Sequence, residues 1–133
     1  MAYTDKVKTG VKHILHFIFK NVFLLGDRIP LRIQDGHAKG GKIGIDIRDN
    51  YQYYSGKYDS WFLNNLDFSK YIKKGAICWD CGSYIGYYTA IFRNYAGISG
   101  EVHTFEASPK NFKIVQQLSE LNSWKNVYYY NNA

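Results

Sequence analysis

Residues 76–92, AICWDCGSYIGYYTAIF, hold two readings at once. Cys78 and Cys81 form C-x-x-C, the spacing of a redox pair or of half a zinc site. Asp80, Gly82 and Gly86 form D-x-G-x-x-x-G at the end of an apolar run, a turn suited to a nucleotide-like cofactor. A redox pair of the thioredoxin kind sits at a helix start, where the helix dipole lowers the first thiol's pKa. Here Cys78 lies inside a predicted strand, and residues three apart in extended chain face opposite ways, so the sulfurs diverge. A zinc site needs two further ligands at recognisable spacing. The histidines offer only His13 and His16 on a distant helix, with no carboxylate beside them, and isolated His37 and His103. The cysteines therefore read as small buried packers, with no metal site.

The flanking sequence favours the acid and the glycines. AICWD (76–80) is a short apolar strand with a buried look, and residues 84–96 put Tyr88, Ile91, Phe92 and Tyr95 on one helical face. EVHTFEA (101–107) is the next strand, and Ser108 caps a helix that starts at Pro109. That helix buries Ile114, Val115, Leu118 and Leu121 and stops at Asn122; residues 126–133 form a third strand. Strand, helix, strand, helix, strand with short connections predicts an α/β fold with a parallel sheet. Ligands on such sheets sit beyond the carboxyl ends of the strands, here Asp80 to Gly82 and Phe105 to Ala107.

Gly82 at the strand-to-helix turn lets the backbone approach a ligand, and Gly86 removes a side chain where helix and strand pack. Glu106, at the end of the second strand, can accept both hydroxyl hydrogens of a ribose. The loop is not G-x-G-x-x-G, so the pattern that holds a dinucleotide pyrophosphate is missing. A ribose-binding acid without a phosphate cradle points to S-adenosylmethionine, whose ammonium Asp80 could balance.

The composition sets bounds on this reading. The 133 residues have room for about one domain, and a 46 % hydrophobic, 18 % aromatic composition supports a core. The 17 basic and 11 acidic residues leave +6, scattered rather than clustered. That fits a solvated surface or weak attraction to an anionic substrate or membrane, and no nucleic acid is expected. Two cysteines build no disulfide framework, so a cytoplasmic setting is expected. VKHILHFIFKNVFLL (11–25) falls short of a membrane span and predicts an amphipathic helix, packed on the domain or making peripheral membrane contact. Residues 30–35 and 42–49 read as short strands around a GHAKGG turn, with Ile43, Ile45 and Ile47 alternating. Residues 58–72 carry Trp61, Phe62, Leu66 and Tyr71 in a loosely helical pattern. The front section, 1–57, is expected as an appendage to a cofactor domain over 58–133.

The motifs together resemble those of FkbM-family methyltransferases: D-x-G-x-x-x-G-Y-Y-T at Asp80 to Thr89, G-x-V-x-x-F-E at Gly100 to Glu106, and L-N-x-x-x-N-V at Leu121 to Val127. SGKYD is similar to the family's G-x-Y-E lead-in, with Asp59 in place of the glutamate. Ser83-Tyr84 stands where that loop often has Ala-Asn, and Ala107 where Pro often follows the acid. The resemblance implies a Rossmann-like class I methyltransferase fold with S-adenosylmethionine held by Asp80, Gly82, Ser83, Tyr84, Gly86, Glu106 and Ala107. It also implies O-methylation of a sugar or secondary-metabolite hydroxyl, so a small-molecule or glycan acceptor, with no catalytic base assigned. The family's sheet has seven strands in the order 3-2-1-4-5-7-6, of which the sequence supplies three. A fragment of a longer enzyme is therefore expected, inactive alone and prone to self-association through an exposed sheet edge. The competing readings are a non-catalytic partner- or membrane-associated module and a nucleotide-dependent oxidoreductase.

Overall fold

The computed structural model describes residues 28–46 and 51–132. The expected helix over 11–25, His13 and His16, and the end of the second predicted strand at Ile47 lie outside the described residues. Two short strands open the chain, β1 (Ile29–Arg32) and β2 (Lys42–Ile45), paired antiparallel with Leu31 opposite Ile43. Alternation is only partial in β2, because Gly44 is buried along with Ile43 and Ile45.

Next come α1 (Tyr51–Ser55), α2 (Ser60–Leu63) and α3 (Phe68–Tyr71). The helical pattern expected over 58–72 is broken in two. Asp67 caps α3 by accepting from the Ser69 amide at 3.1 Å, and the core is met by Leu63 and Phe68. Trp61, Phe62 and Tyr71 are exposed instead.

The parallel sheet follows as β3 (Ile77–Cys81), β4 (Glu101–Phe105) and β5 (Val127–Tyr130), in the order β3-β4-β5. Its register sets Cys78 beside Val102 and Val102 beside Val127, with Asp80 beside Thr104. Helix α4 (Tyr87–Ala96) packs on β3 and β4, and α5 (Pro109–Val115) and α6 (Leu118–Asn122) link β4 to β5. Cys78, Asp80, Val102, Thr104 and Val127 are buried. The alternate residues of β3 are bare, Ile77 at 65 % and Trp79 at 68 %, so the buried look of this apolar strand holds for one face only. The described helices cover one face, and on the other Trp79, Phe105, Tyr130, His103 and Tyr128 form a row of neighbouring rings.

The helix after β3 starts at Tyr87 and not at residue 84, since Tyr84 and Gly86 take φ of 53° and 83°. The helix after β4 is interrupted between Val115 and Leu118; Ile114 and Leu121 are half-buried. Its start is as expected, with the Ser108 hydroxyl accepting from the Asn111 amide at 3.4 Å and Pro109 in the first turn.

The front section shares its core with the helices. Ile33, Ala38, Ile43 and Ile45 pack into one cluster with Ile85, Tyr87, Ala90, Ile91, Val115 and Leu118. Asn122 fixes this docking. Its side-chain amide accepts from the Lys42 amide at 2.6 Å and donates to the Lys42 carbonyl at 2.8 Å, as a neighbouring strand would. Among the described residues no helix is long and apolar enough to cross a membrane.

Candidate functional site

The loop between β3 and α4 is built from backbone bonds to the end of β4. The Gly82 and Ser83 amides both donate to the Phe105 carbonyl, at 2.9 and 3.1 Å, and the Gly86 amide returns to the Ser83 carbonyl at 2.7 Å. Such a tight reversal needs positive φ, which glycine adopts without Cβ strain. Gly82 takes φ 85°, and a Cβ there would meet nothing within 4 Å, so this part of the loop has open space beside it. Gly86 differs: a Cβ there would collide with Leu118 and lie 3.1 Å from Val115. The crowding expected against a strand is against α5 and α6.

Glu106 ties the two strand ends together. One carboxylate oxygen accepts from the Tyr84 amide at 2.8 Å and the other from the Ser108 amide at 2.9 Å. The residue is 7 % exposed. Asn131, just past β5, donates to the Glu106 carbonyl at 2.8 Å and to the Ala107 carbonyl at 3.3 Å, bringing the third strand end to the same place. Ser83 is buried and its hydroxyl has no partner among the described residues.

Asp80 points inward. It is 5 % exposed and accepts from the Thr89 hydroxyl at 2.5 Å, with the Thr104 hydroxyl 3.4 Å from that of Thr89. Burial pushes its carboxyl above the usual range; the Thr89 bonds oppose this, and the Glu106 charge adds to the rise. In this arrangement Asp80 anchors the first turn of α4 and does not face solvent as a counter-charge would.

Sequence reasoning assigned no role to the tyrosine cluster beside the loop. Tyr53 stacks on Tyr58 with ring centroids 4.0 Å apart, Tyr87 meets both edge-on, and Tyr53 lies 6.4 Å from Tyr84. The Tyr88 hydroxyl donates to Asp59 at 2.9 Å. Burial, with the Asp59 charge, pushes the Tyr87 hydroxyl up to about 12, and that hydroxyl is buried without a partner among the described residues. Asp59 takes φ 50°, an uncommon conformation for a non-glycine residue. The signals were the Tyr58-Asp59 pair in the lead-in and Thr89 at the motif's end, whose partners are remote in sequence.

The two cysteines diverge as the strand geometry expects, but only Cys78 is the buried packer expected of both: Cys81, at the end of β3 and on its other face, is exposed, and both are free thiols. His37 and His103 have separate partners. His37 bonds the Tyr95 hydroxyl at 2.6 Å and the Leu63 carbonyl at 2.9 Å, while His103 lies 3.1 Å from Glu101 and 3.0 Å from Tyr130.

No family model and no curated protein matches the chain. Two solved structures share the architecture. One is a proposed transferase from Pyrococcus horikoshii, 16 % identical with a TM-score of 0.55, over 79 % of this chain and 36 % of that one. The other is Trm5b from Pyrococcus abyssi, 16 % identical with a TM-score of 0.53, over 77 % of this chain and 27 % of that one. The fold is Rossmann-like. A protein-L-isoaspartate O-methyltransferase, 22 % identical over 56 % of this chain and 22 % of that one, has a TM-score of 0.42, too slight to add to this. The chain spans about a third of the first two structures' own length.

Proposed function

We propose that the chain carries the cofactor-binding part of an S-adenosylmethionine-dependent methyltransferase of the FkbM type, acting on a hydroxyl of a sugar or secondary metabolite. The observation that carries this is Glu106: a buried carboxylate at the end of β4, bonded to a loop that has no dinucleotide glycine pattern.

Each carboxylate oxygen has two acceptor sites, and the Tyr84 and Ser108 amides use one apiece. The remaining two suit the adjacent hydroxyls of a ribose. The space beside Gly82 suits close approach of a ligand to the backbone. Tyr84 and Ala107 flank Glu106 at the two strand ends, and Gly86 lets α4 seat against α5 and α6. Asp80 contributes by fixing Thr89 in the first turn of α4.

When bound, the cofactor supplies a methyl group on a sulfonium, open to in-line displacement by an oriented oxygen. Calorimetry on the full chain with S-adenosylhomocysteine and with NAD tests the reading. Heat with the former and none with the latter is expected; tight NAD binding with no response to S-adenosylhomocysteine overturns it.

A further inference from the structure

We infer that the end of the molecule opposite the Gly82–Gly86 loop is a docking surface for an anionic lipid bilayer. Two clefts adjoin there and share Asn94. One, of about 610 Å³, carries His37, Lys73 and Lys74. The other, of about 360 Å³, carries Arg32, Lys39 and Lys42. Neither lining contains an Asp or Glu. The Asn94 side chain donates to the His37 and Lys39 carbonyls at 3.0 and 3.1 Å, which holds the loop between β1 and β2 against α4 and makes the two sets of cations one surface.

Lys73 and Lys74 are held in place. Their ammonium groups donate to the Ser69 carbonyl at 2.6 Å and the Asn94 carbonyl at 2.9 Å. Each keeps two further protons for an anion. Of the nearby acids, Asp67 binds Ser69 and sits 3.9 Å from Lys70, and Glu101 sits against His103. Asp35 and Glu120 adjoin Gly36 and Leu121 of the two linings in sequence and leave the cations in excess.

Exposed apolar groups distinguish a bilayer from a soluble polyanion. Ile98, in the turn between α4 and β4, is 87 % exposed, and Tyr71 is 74 % exposed two residues before Lys73. That turn rests on Lys74, since a Cβ on Gly97 would lie 3.0 Å from the Lys74 side chain. A phosphodiester chain in water gains little from a bare isoleucine. A bilayer interface buries isoleucine and tyrosine, and its anionic headgroups attract each nearby cation. The surface lies at the amino ends of β3 and β4, so a docked molecule keeps the Gly82 loop turned away from the lipid. It is argued from residues other than 11–25, and it does not depend on the cofactor reading.

The test is cosedimentation of the full chain with vesicles of phosphatidylcholine containing about 30 % phosphatidylserine, with neutral vesicles and soluble heparin as comparisons. Binding to the anionic vesicles is expected, weakened about tenfold by a several-fold rise in salt. Ile98→Ser and the pair Lys39→Glu/Lys73→Glu should each weaken it about fivefold or more. Ile98→Ser keeps the test decisive should the lysine pair disturb folding, because this side chain lies almost wholly in solvent. Variants that sediment like the parent overturn the proposal, as does heparin binding that follows the lysines while vesicle binding ignores Ile98.

Discussion

The Glu106 carboxylate accepts the Tyr84 amide at 2.8 Å, and Tyr84 itself sits at φ 53°. A left-handed residue costs roughly 1–2 kcal/mol, while a charge-assisted hydrogen bond contributes about 1.5–3 kcal/mol. The loop's shape therefore depends on the acid beneath it. Glu106→Ala removes this bond and the one to Ser108, and affinity for S-adenosylhomocysteine should fall roughly tenfold to a hundredfold. Cys78→Ser and Cys81→Ser should change it far less. Calorimetry in which a cysteine variant loses more than Glu106→Ala would return C-x-x-C to first place.

The two loop glycines should fail in different ways. Gly86→Ala forces a methyl into Leu118 on top of an unfavourable φ, and should cost about 2–4 kcal/mol of stability. Gly82→Ala meets no neighbour and carries only the backbone strain, about 1 kcal/mol. Denaturant titration separates the two; equal losses would contradict the packing of α4 on α6.

Asp80 gives a pH dependence opposite to that of a salt-bridged acid. Its folded pKa is raised above the ordinary 3.8, so between the two values the folded state holds a proton that the unfolded state has lost. Its contribution to stability is greatest below about pH 4 and falls as pH rises through the folded pKa. Asp80→Asn has no such slope. The melting temperature of the parent relative to Asp80→Asn should therefore drop as pH rises from about 4, then level off. A parent that gains on the variant over that range would show the carboxyl to be charge-stabilised.

Thiol labelling should divide the cysteines. Cys81 is exposed, while Cys78 is buried and burial pushes its thiol pKa up. One thiol should react quickly in the folded chain and the second only on unfolding, with mass spectrometry assigning the fast one to Cys81.

Ile77 and Trp79 lie bare on β3, which is an edge strand among the described residues. Unpaired edges with apolar side chains promote association. Sizing chromatography should show concentration-dependent self-association that Trp79→Ser reduces. A monomer at every concentration would show this face to be covered.

What the sequence determined by itself was local. Period and punctuation marked the parallel strands and both helical crossovers, because a buried face repeats every two or 3.6 residues and Ser108-Pro109 starts a helix on its own chemistry. Strand geometry was likewise enough to part Cys78 from Cys81. Contacts between remote segments were decided only in three dimensions. Asp80 turned inward because the Thr89 hydroxyl meets it there, with Thr104 next to Thr89, and Glu106 acquired the Tyr84 amide from 22 residues away. Gly86 was needed for Leu118 and not for a strand. Lysines that look scattered along the chain became one surface because the loop between β1 and β2 packs on α4 through Asn94. Propensity and periodicity report each residue's own backbone, whereas burial and pairing depend on which distant segment arrives beside it.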